Sequence, residues 1–143
     1  VSPSYYVQDG VVPRTEIAPT LRYIHQVSRE AGLTISNIFH AGDGNMHPII
    51  LFDARKPEEL ERARKAGDAI LRFCISRGGS ITGEHGVGME KMESIGDQFS
   101  GDTLDWMARF KKLFDPECRL NPGKMLPTGK GCMEIRQAAG TSV

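Results

Sequence analysis

The dipeptide Asp43-Gly44 stands between two apolar-rich runs, and this pattern limits the fold more tightly than any other segment. A two-residue type I′ turn needs positive φ at both central positions, so Asp-Gly here predicts a β-hairpin with strands over about 34–41 and 46–53. Counting outward from the turn pairs Gly42 with Asn45, Ala41 with Met46, and His40 with His47. Ile38, Ile49 and Leu51 then share the histidine face, whereas Phe39, Met46, Ile50 and Phe52 point the other way. A sheet that is apolar on both faces needs cover on both. Without one cover, the chain would expose an apolar patch and self-associate.

His40 and His47, paired across such a ladder, have Cβ atoms roughly 4.5–5.5 Å apart. Two imidazoles at that distance suit a shared metal ion, since imidazole is a common ligand for zinc and its neighbours. A third ligand must come from elsewhere. Gly79-Ser-Ile-Thr-Gly-Glu-His-Gly-Val-Gly88 offers Glu84 and His85 framed by glycines, which let backbone approach a ligand closely. Adjacent residues on an extended chain point opposite ways. Glu84 would therefore complete a His2Glu set while His85 faces a different partner, on the open side that a catalytic metal requires. The same side chains also suit a solvated or core-packed role with no ion, or an anion site. His25, in an amphipathic helical stretch, reads as solvated.

Along the chain, Tyr5–Pro13 mixes aromatic and β-branched residues and reads as a strand. Ile17, Leu21, Ile24, Val27 and Ala31 recur at helical spacing, with Gly32 as a stop. Lys56-Pro57-Glu58-Glu59 opens a second helix carrying Leu60, Ala63, Gly67, Ile70, Leu71 and Cys74, which Gly78-Gly79 ends. Ser80-Ile81-Thr82 reads as a short strand that delivers Glu84 and His85. The order predicts an α+β fold: an antiparallel sheet with helices packed on it, in the ferredoxin-like βαββαβ arrangement, followed by a C-terminal helix. In the strict form of that topology the last strand starts near the hairpin tip, so Glu84 would be carried away from it. A short last strand that loops back is required if Glu84 is to meet the histidines. The C-terminal helix carries Leu104, Met107, Phe110, Leu113 and Phe114, with Trp106 on its flank. Asp102 or Thr103 is its expected cap, and it stops before Asp115-Pro116.

The chain has 143 residues, with 18 basic and 18 acidic side chains, a length that suits one domain over 1–126 and a polar tail over 127–143. Balanced charge gives no electrostatic footprint for nucleic acid. No apolar run approaches the roughly 18 residues needed to span a bilayer, and no signal peptide is visible. Cys74, Cys118 and Cys132 lack C-x-x-C spacing and suggest a reducing, cytoplasmic setting with buried or incidental thiols.

His40-Ala-Gly-Asp-Gly-Asn-Met-His-Pro48, Gly78-Gly-Ser-Ile-Thr-Gly-Glu-His-Gly-Val-Gly88 and Phe114-Asp-Pro-Glu-Cys-Arg-Leu-Asn-Pro-Gly-Lys124 together resemble the C-terminal domain of FAD-linked 2-hydroxyacid oxidases. The resemblance runs from about Tyr5 to Leu126 and is strongest to the glycolate-oxidising type, with D-lactate and D-2-hydroxyglutarate dehydrogenases as relatives. It implies that His40, His47 and Glu84 bind a divalent metal (Zn, Mn or Fe). It also implies that His85 is the active-site residue that takes the hydroxyl proton while hydride passes to the flavin. Asn45 and Asn121 match residues lining the flavin or substrate pocket. Ile49 replaces an asparagine of the hydroxyglutarate enzymes, which argues against recognition of a second substrate carboxylate there.

With no G-x-G-x-x-G and no flavin-binding region, the chain reads as the C-terminal fragment of an FAD-dependent enzyme that oxidises glycolate or D-lactate to the 2-oxoacid. FAD would be bound mainly by an N-terminal domain, and the fragment alone would be inactive. The resemblance further implies companion flavin and iron–sulfur subunits, and a cytoplasmic location peripheral to the membrane through them. The competing readings are a non-catalytic metal- or ligand-binding module and a structural subunit-contact domain.

Overall fold

The structure is a computed structural model that describes residues 2–127. It divides into two compact units, Val1–Gly86 and Val87–Val143. Apart from Pro127, the expected polar tail lies outside the described residues, as does Cys132.

The first unit is built on strand β4 (Asn45–Phe52). On one side it pairs antiparallel with β3 (Thr34–His40), and on the other with β1 (Ser4–Val7) and β2 (Gly10–Val11). The two short strands are one interrupted edge. Val7 pairs with Ile49 and Gly10 with Met46, so a single register runs through and sets Gln8 opposite Pro48 and Asp9 opposite His47. The break falls where Pro48 has no N–H to give, although its carbonyl still accepts from Gln8 N at 3.0 Å. Beyond β2, a single antiparallel bridge joins Val11 to Ser80. The expected last strand is thus reduced to one bridge, and the βαββαβ order is otherwise met in an α+β fold.

Both long helices cover one face of the sheet. Helix α1 (Ile17–Ala31) ends at Gly32 in the left-handed conformation, φ 61°, as its terminal glycine predicts. Helix α2 (Pro57–Ser76) begins with proline in the first turn and Glu58 and Glu59 beside the positive end of its dipole. Ile24, Val27, Met46, Ile50, Phe52, Ala63, Ala66 and Ile70 form the heart of the core between sheet and helices, and Tyr23 stacks on Phe73 with ring centroids 4.1 Å apart. Cys74 is buried and free, whereas Cys118 is disulfide-bonded. On the opposite, histidine-bearing face Tyr5 is 70% and Ile38 59% exposed.

The hairpin itself departs from expectation. His40 pairs with Asn45, Phe39 with Met46 and Ile38 with His47, so the turn holds four residues, Ala41 to Gly44, not two. Gly44 alone has positive φ, 79°, and its N–H donates to His40 O at 2.9 Å. The edge strand decides the register. Val12 N donates to Gly44 O at 3.1 Å, and a Cβ on Gly44 would stand 2.0 Å from Val12 O. That contact holds Gly44 in line with Asn45 and overrides the local preference of Asp-Gly for a tight turn.

In the second unit, α3 (Ile95–Gln98) precedes α4 (Gly101–Phe114). Ser100, not Asp102 or Thr103, caps α4, its side chain accepting from Thr103 N at 3.3 Å. Ser100 has the extended backbone a cap needs, and the other two already lie within the helix. The helix stops before Asp115-Pro116 as expected. Trp106, Phe110, Leu113 and Phe114 face outward and, with Leu120 and Met125, line an apolar groove.

Candidate metal and substrate site

His40 ends β3 and His47 lies two residues into β4, so the imidazoles are diagonal neighbours on one face, with ring centroids 5.4 Å apart and planes at 88°. His47 is nearly buried. Its Nδ1 lies 3.4 Å from Gln8 O, a contact that a proton on Nδ1 would make a hydrogen bond, in which case Nε2 would present its lone pair to an ion in the site. His40 is half exposed on the open side.

After the Val11–Ser80 bridge the chain does not run on as a strand. Residues 82–85 bend around the buried Asp9 carboxylate, which accepts hydrogen bonds from Thr82 Oγ1 and from the backbone N–H groups of Gly83, Glu84 and His85. This turn brings Glu84 Oε1 to 2.9 Å from His47 Nε2 and 3.7 Å from His40 Nε2. Tetrahedral ligands each about 2.1 Å from one ion lie roughly 3.4 Å from one another. The two carboxylate–imidazole distances bracket that spacing, and two imidazoles with a carboxylate are donors that suit a divalent metal, although His40 stands outside the tightest group of ligand atoms.

His85 does not face away from Glu84. Its ring stacks on His47 at 5.0 Å and 15°, and its Nε2 is 3.9 Å from Glu84 Oε1. The opposite-face expectation assumed extended backbone, and the bend around Asp9 removes that condition. Asp9, His47, Glu84 and His85 offer ligand atoms within 4.8 Å of one another, the one such cluster among the described residues. Glu84, His40 and His85 stay about half exposed, so the cluster is open to solvent on one side.

Asn45 adjoins the cluster, buried, with its Oδ1 unpartnered. A Cβ on Gly83 would stand 2.7 Å from Asn45 Cγ, so only glycine lets the bend pass there. Asn121 belongs to the second unit. It sits exposed at φ 45° in a loop organised by Asp115, whose carboxylate accepts from Arg119 N at 2.8 Å and Leu120 N at 3.0 Å. Lys111 Nζ, 2.6 Å from that carboxylate, is the main cause that holds its pKa below the ordinary range. His25 is exposed on α1, as expected of a solvated side chain.

Sequence reasoning missed Asp9 and Thr82. Asp9-Gly10 carries the same dipeptide as the hairpin turn, and an acidic residue inside a predicted strand was the available signal.

Residues 1–125 match the family of FAD linked oxidases, C-terminal domain. The chain belongs to that family. Among curated relatives of this FAD-linked oxidase C-terminal domain is the glycolate oxidase subunit GlcD of Escherichia coli (strain K12). It is 47% identical over 135 residues, covering 94% of this chain and 27% of the relative. GlcD of Bacillus subtilis (strain 168) is 39% identical over 125 residues, 87% of this chain and 27% of the relative. The mitochondrial D-lactate dehydrogenase [cytochrome] of Arabidopsis thaliana is 34% identical over 121 residues, 85% of this chain and 21% of the relative. The chain thus spans about a quarter of the length of these relatives. Among the described residues no helix is long and apolar enough to cross a membrane.

Proposed function

We propose that the chain is the metal- and substrate-side portion of an FAD-dependent oxidoreductase that converts a small 2-hydroxyacid, glycolate or D-lactate, to the 2-oxoacid. One observation carries the reading: Glu84 Oε1 lies 3.7 Å from His40 Nε2 and 2.9 Å from His47 Nε2 on the histidine-bearing face of the sheet, in a chain whose relatives are named glycolate oxidase subunits and D-lactate dehydrogenases. A divalent ion there would polarise the carboxylate and hydroxyl oxygens of the substrate, and FAD, bound mainly by another part of the full-length protein, would accept hydride.

The chain's own residues would divide the remaining work. His40, His47 and Glu84 hold the ion, and the Gln8 carbonyl keeps the proton of His47 on Nδ1. His85, stacked on His47 and open to solvent, receives the hydroxyl proton as general base. Asn45, with an unpartnered buried oxygen, and Asn121 contribute polar groups to the flavin or substrate pocket. The relatives' designation as subunits supports assembly with companion subunits.

Elemental mass spectrometry of the purified chain, beside a His40→Ala, His47→Ala double variant, tests the metal. Near-stoichiometric zinc, manganese or iron in the parent alone is the expected result. In the full-length enzyme, His85→Ala should lower turnover far more than flavin content. Equal activity would defeat its role as base.

A further inference from the structure

Asp9 is wholly buried, at 0% exposure, beside the exposed Glu84 and His85. Its Oδ2 accepts from Thr82 Oγ1 at 2.7 Å, from Gly83 N and His85 N at 3.0 Å each, and from Glu84 N at 3.3 Å. Upstream of these bonds, 80–85 is tied to the sheet by the Val11–Ser80 bridge, so this carboxylate sets where the segment turns. Hydrogen bonds to an ionised acceptor are roughly twice as strong as neutral ones.

The other oxygen bears on the second half of the donor set. Oδ1 stands 3.9 Å from His47 Nδ1, while His47 Nε2, on the far side of the ring, is the atom 2.9 Å from Glu84. The strand register accounts for this placement, because Asp9 lies directly opposite His47 and opposed residues share a face. One buried carboxylate therefore stands behind His47 and at the base of the Glu84–His85 turn.

We propose that Asp9 is the positioning residue of the site. It anchors the 82–85 turn so that Glu84 meets the histidines, and it reinforces the tautomer in which His47 offers Nε2. Its oxygens accept from the Thr82 hydroxyl and from the backbone donors of the turn, so although it lies within the cluster of ligand atoms its part is to act through Glu84 and His47. The consequence for metal affinity rests on the metal reading above, whereas the anchoring does not.

The test compares the chain with its Asp9→Asn and Thr82→Val variants by amide hydrogen exchange and by Zn²⁺ affinity in chelator competition. Asp9→Asn keeps the shape and removes the charge; Thr82→Val removes one donor and leaves Asp9 in place. Exchange at Gly83, Glu84 and His85 should quicken at least about tenfold in Asp9→Asn while β4 amides are unchanged, and Zn²⁺ affinity should fall about 10–100-fold, as for other partners that orient metal ligands. Thr82→Val should move both readouts less, in the same direction. Exchange at parent rates in Asp9→Asn, or undiminished Zn²⁺ affinity, would overturn the proposal. A parent that binds no Zn²⁺ while Asp9→Asn speeds these amides would sink the metal reading and leave the anchoring supported. If Asp9→Asn fails to fold, Thr82→Val decides, and parent behaviour in it would overturn the proposal.

Discussion

Gly79→Ala is the sharpest probe of how the sheet holds the site-bearing segment. An alanine Cβ at 79 would stand 1.8 Å from Val11 O and 2.8 Å from Cys74 O. Both are backbone atoms, so no side-chain rotation relieves the clash. Val11 and Ser80 must part, which breaks the reciprocal bonds Val11 N to Ser80 O at 2.9 Å and Ser80 N to Val11 O at 3.0 Å. Each such bond contributes about 0.5–1.5 kcal/mol net, and overpacking of a close-packed site costs about 1–3 kcal/mol. One movement relieves the clash as it breaks the bonds, so the two do not simply add, and a loss of about 2–4 kcal/mol is expected. Gly42→Ala is the control, since a Cβ there meets nothing within 4 Å and φ is not positive. It should be neutral or stabilise by up to about 1 kcal/mol through the unfolded chain. Urea unfolding followed by tyrosine fluorescence reads the relevant unit, because Tyr5, Tyr6 and Tyr23 all lie in it. An unfolding midpoint for Gly79→Ala equal to that of the parent would refute the argument that this bridge is closed against any side chain.

Two further outcomes follow from ionisable groups outside the cluster. Asp115 is held below the ordinary carboxyl range by Lys111 first, and by the Leu120 and Arg119 amides. A depressed folded value means that its stabilising effect is complete above the unfolded pKa and is lost as pH falls toward the folded one. Fluorescence of Trp106, the single tryptophan, should therefore show the 115–120 turn loosening on acidification, and Asp115→Asn should remove that pH dependence; an identical acid profile in the variant would refute it. Burial pushes the Cys74 thiol up to about 12, so iodoacetamide at pH 8 should leave Cys74 unmodified in the folded chain and alkylate it in urea, read by peptide mass spectrometry. Rapid labelling of the folded chain would contradict the burial argument.

Much of the scaffold was legible because helix signals are local. Gly32 and Pro57 mark α1 and α2 where the structure places their ends. Helix α4 shows where local reading stops. Its spacing puts Phe110 and Leu113 on an apolar stripe, yet both are exposed, since periodicity says which side chains share a face and not what the face meets. The two Asp-Gly dipeptides make the same point. Asp43-Gly44 closes a turn, while Asp9-Gly10 lies along a strand edge, where Asp9 anchors a segment more than seventy residues away. Nothing within a few residues of Asp9 signals that partner.

The candidate site survives an error in the hairpin because of the parity of a β-strand. The expected pairing set His40 against His47, and the observed pairing sets His40 against Asn45, a slip of two residues. Side chains alternate with period two, so a slip of two moves neighbours along the strand and changes no faces, whereas a slip of one would have sent His40 to the helix-covered side. The face was fixed by Met46, Ile50 and Phe52, which must enter the core; the register within that face was fixed by Val12 and Gly44. The diagonal arrangement also matters chemically. With Asn45 in the place expected for His47, the two imidazoles leave a space between them, and it is there that the turn around Asp9 delivers Glu84 Oε1 to within 3.7 Å of both Nε2 atoms.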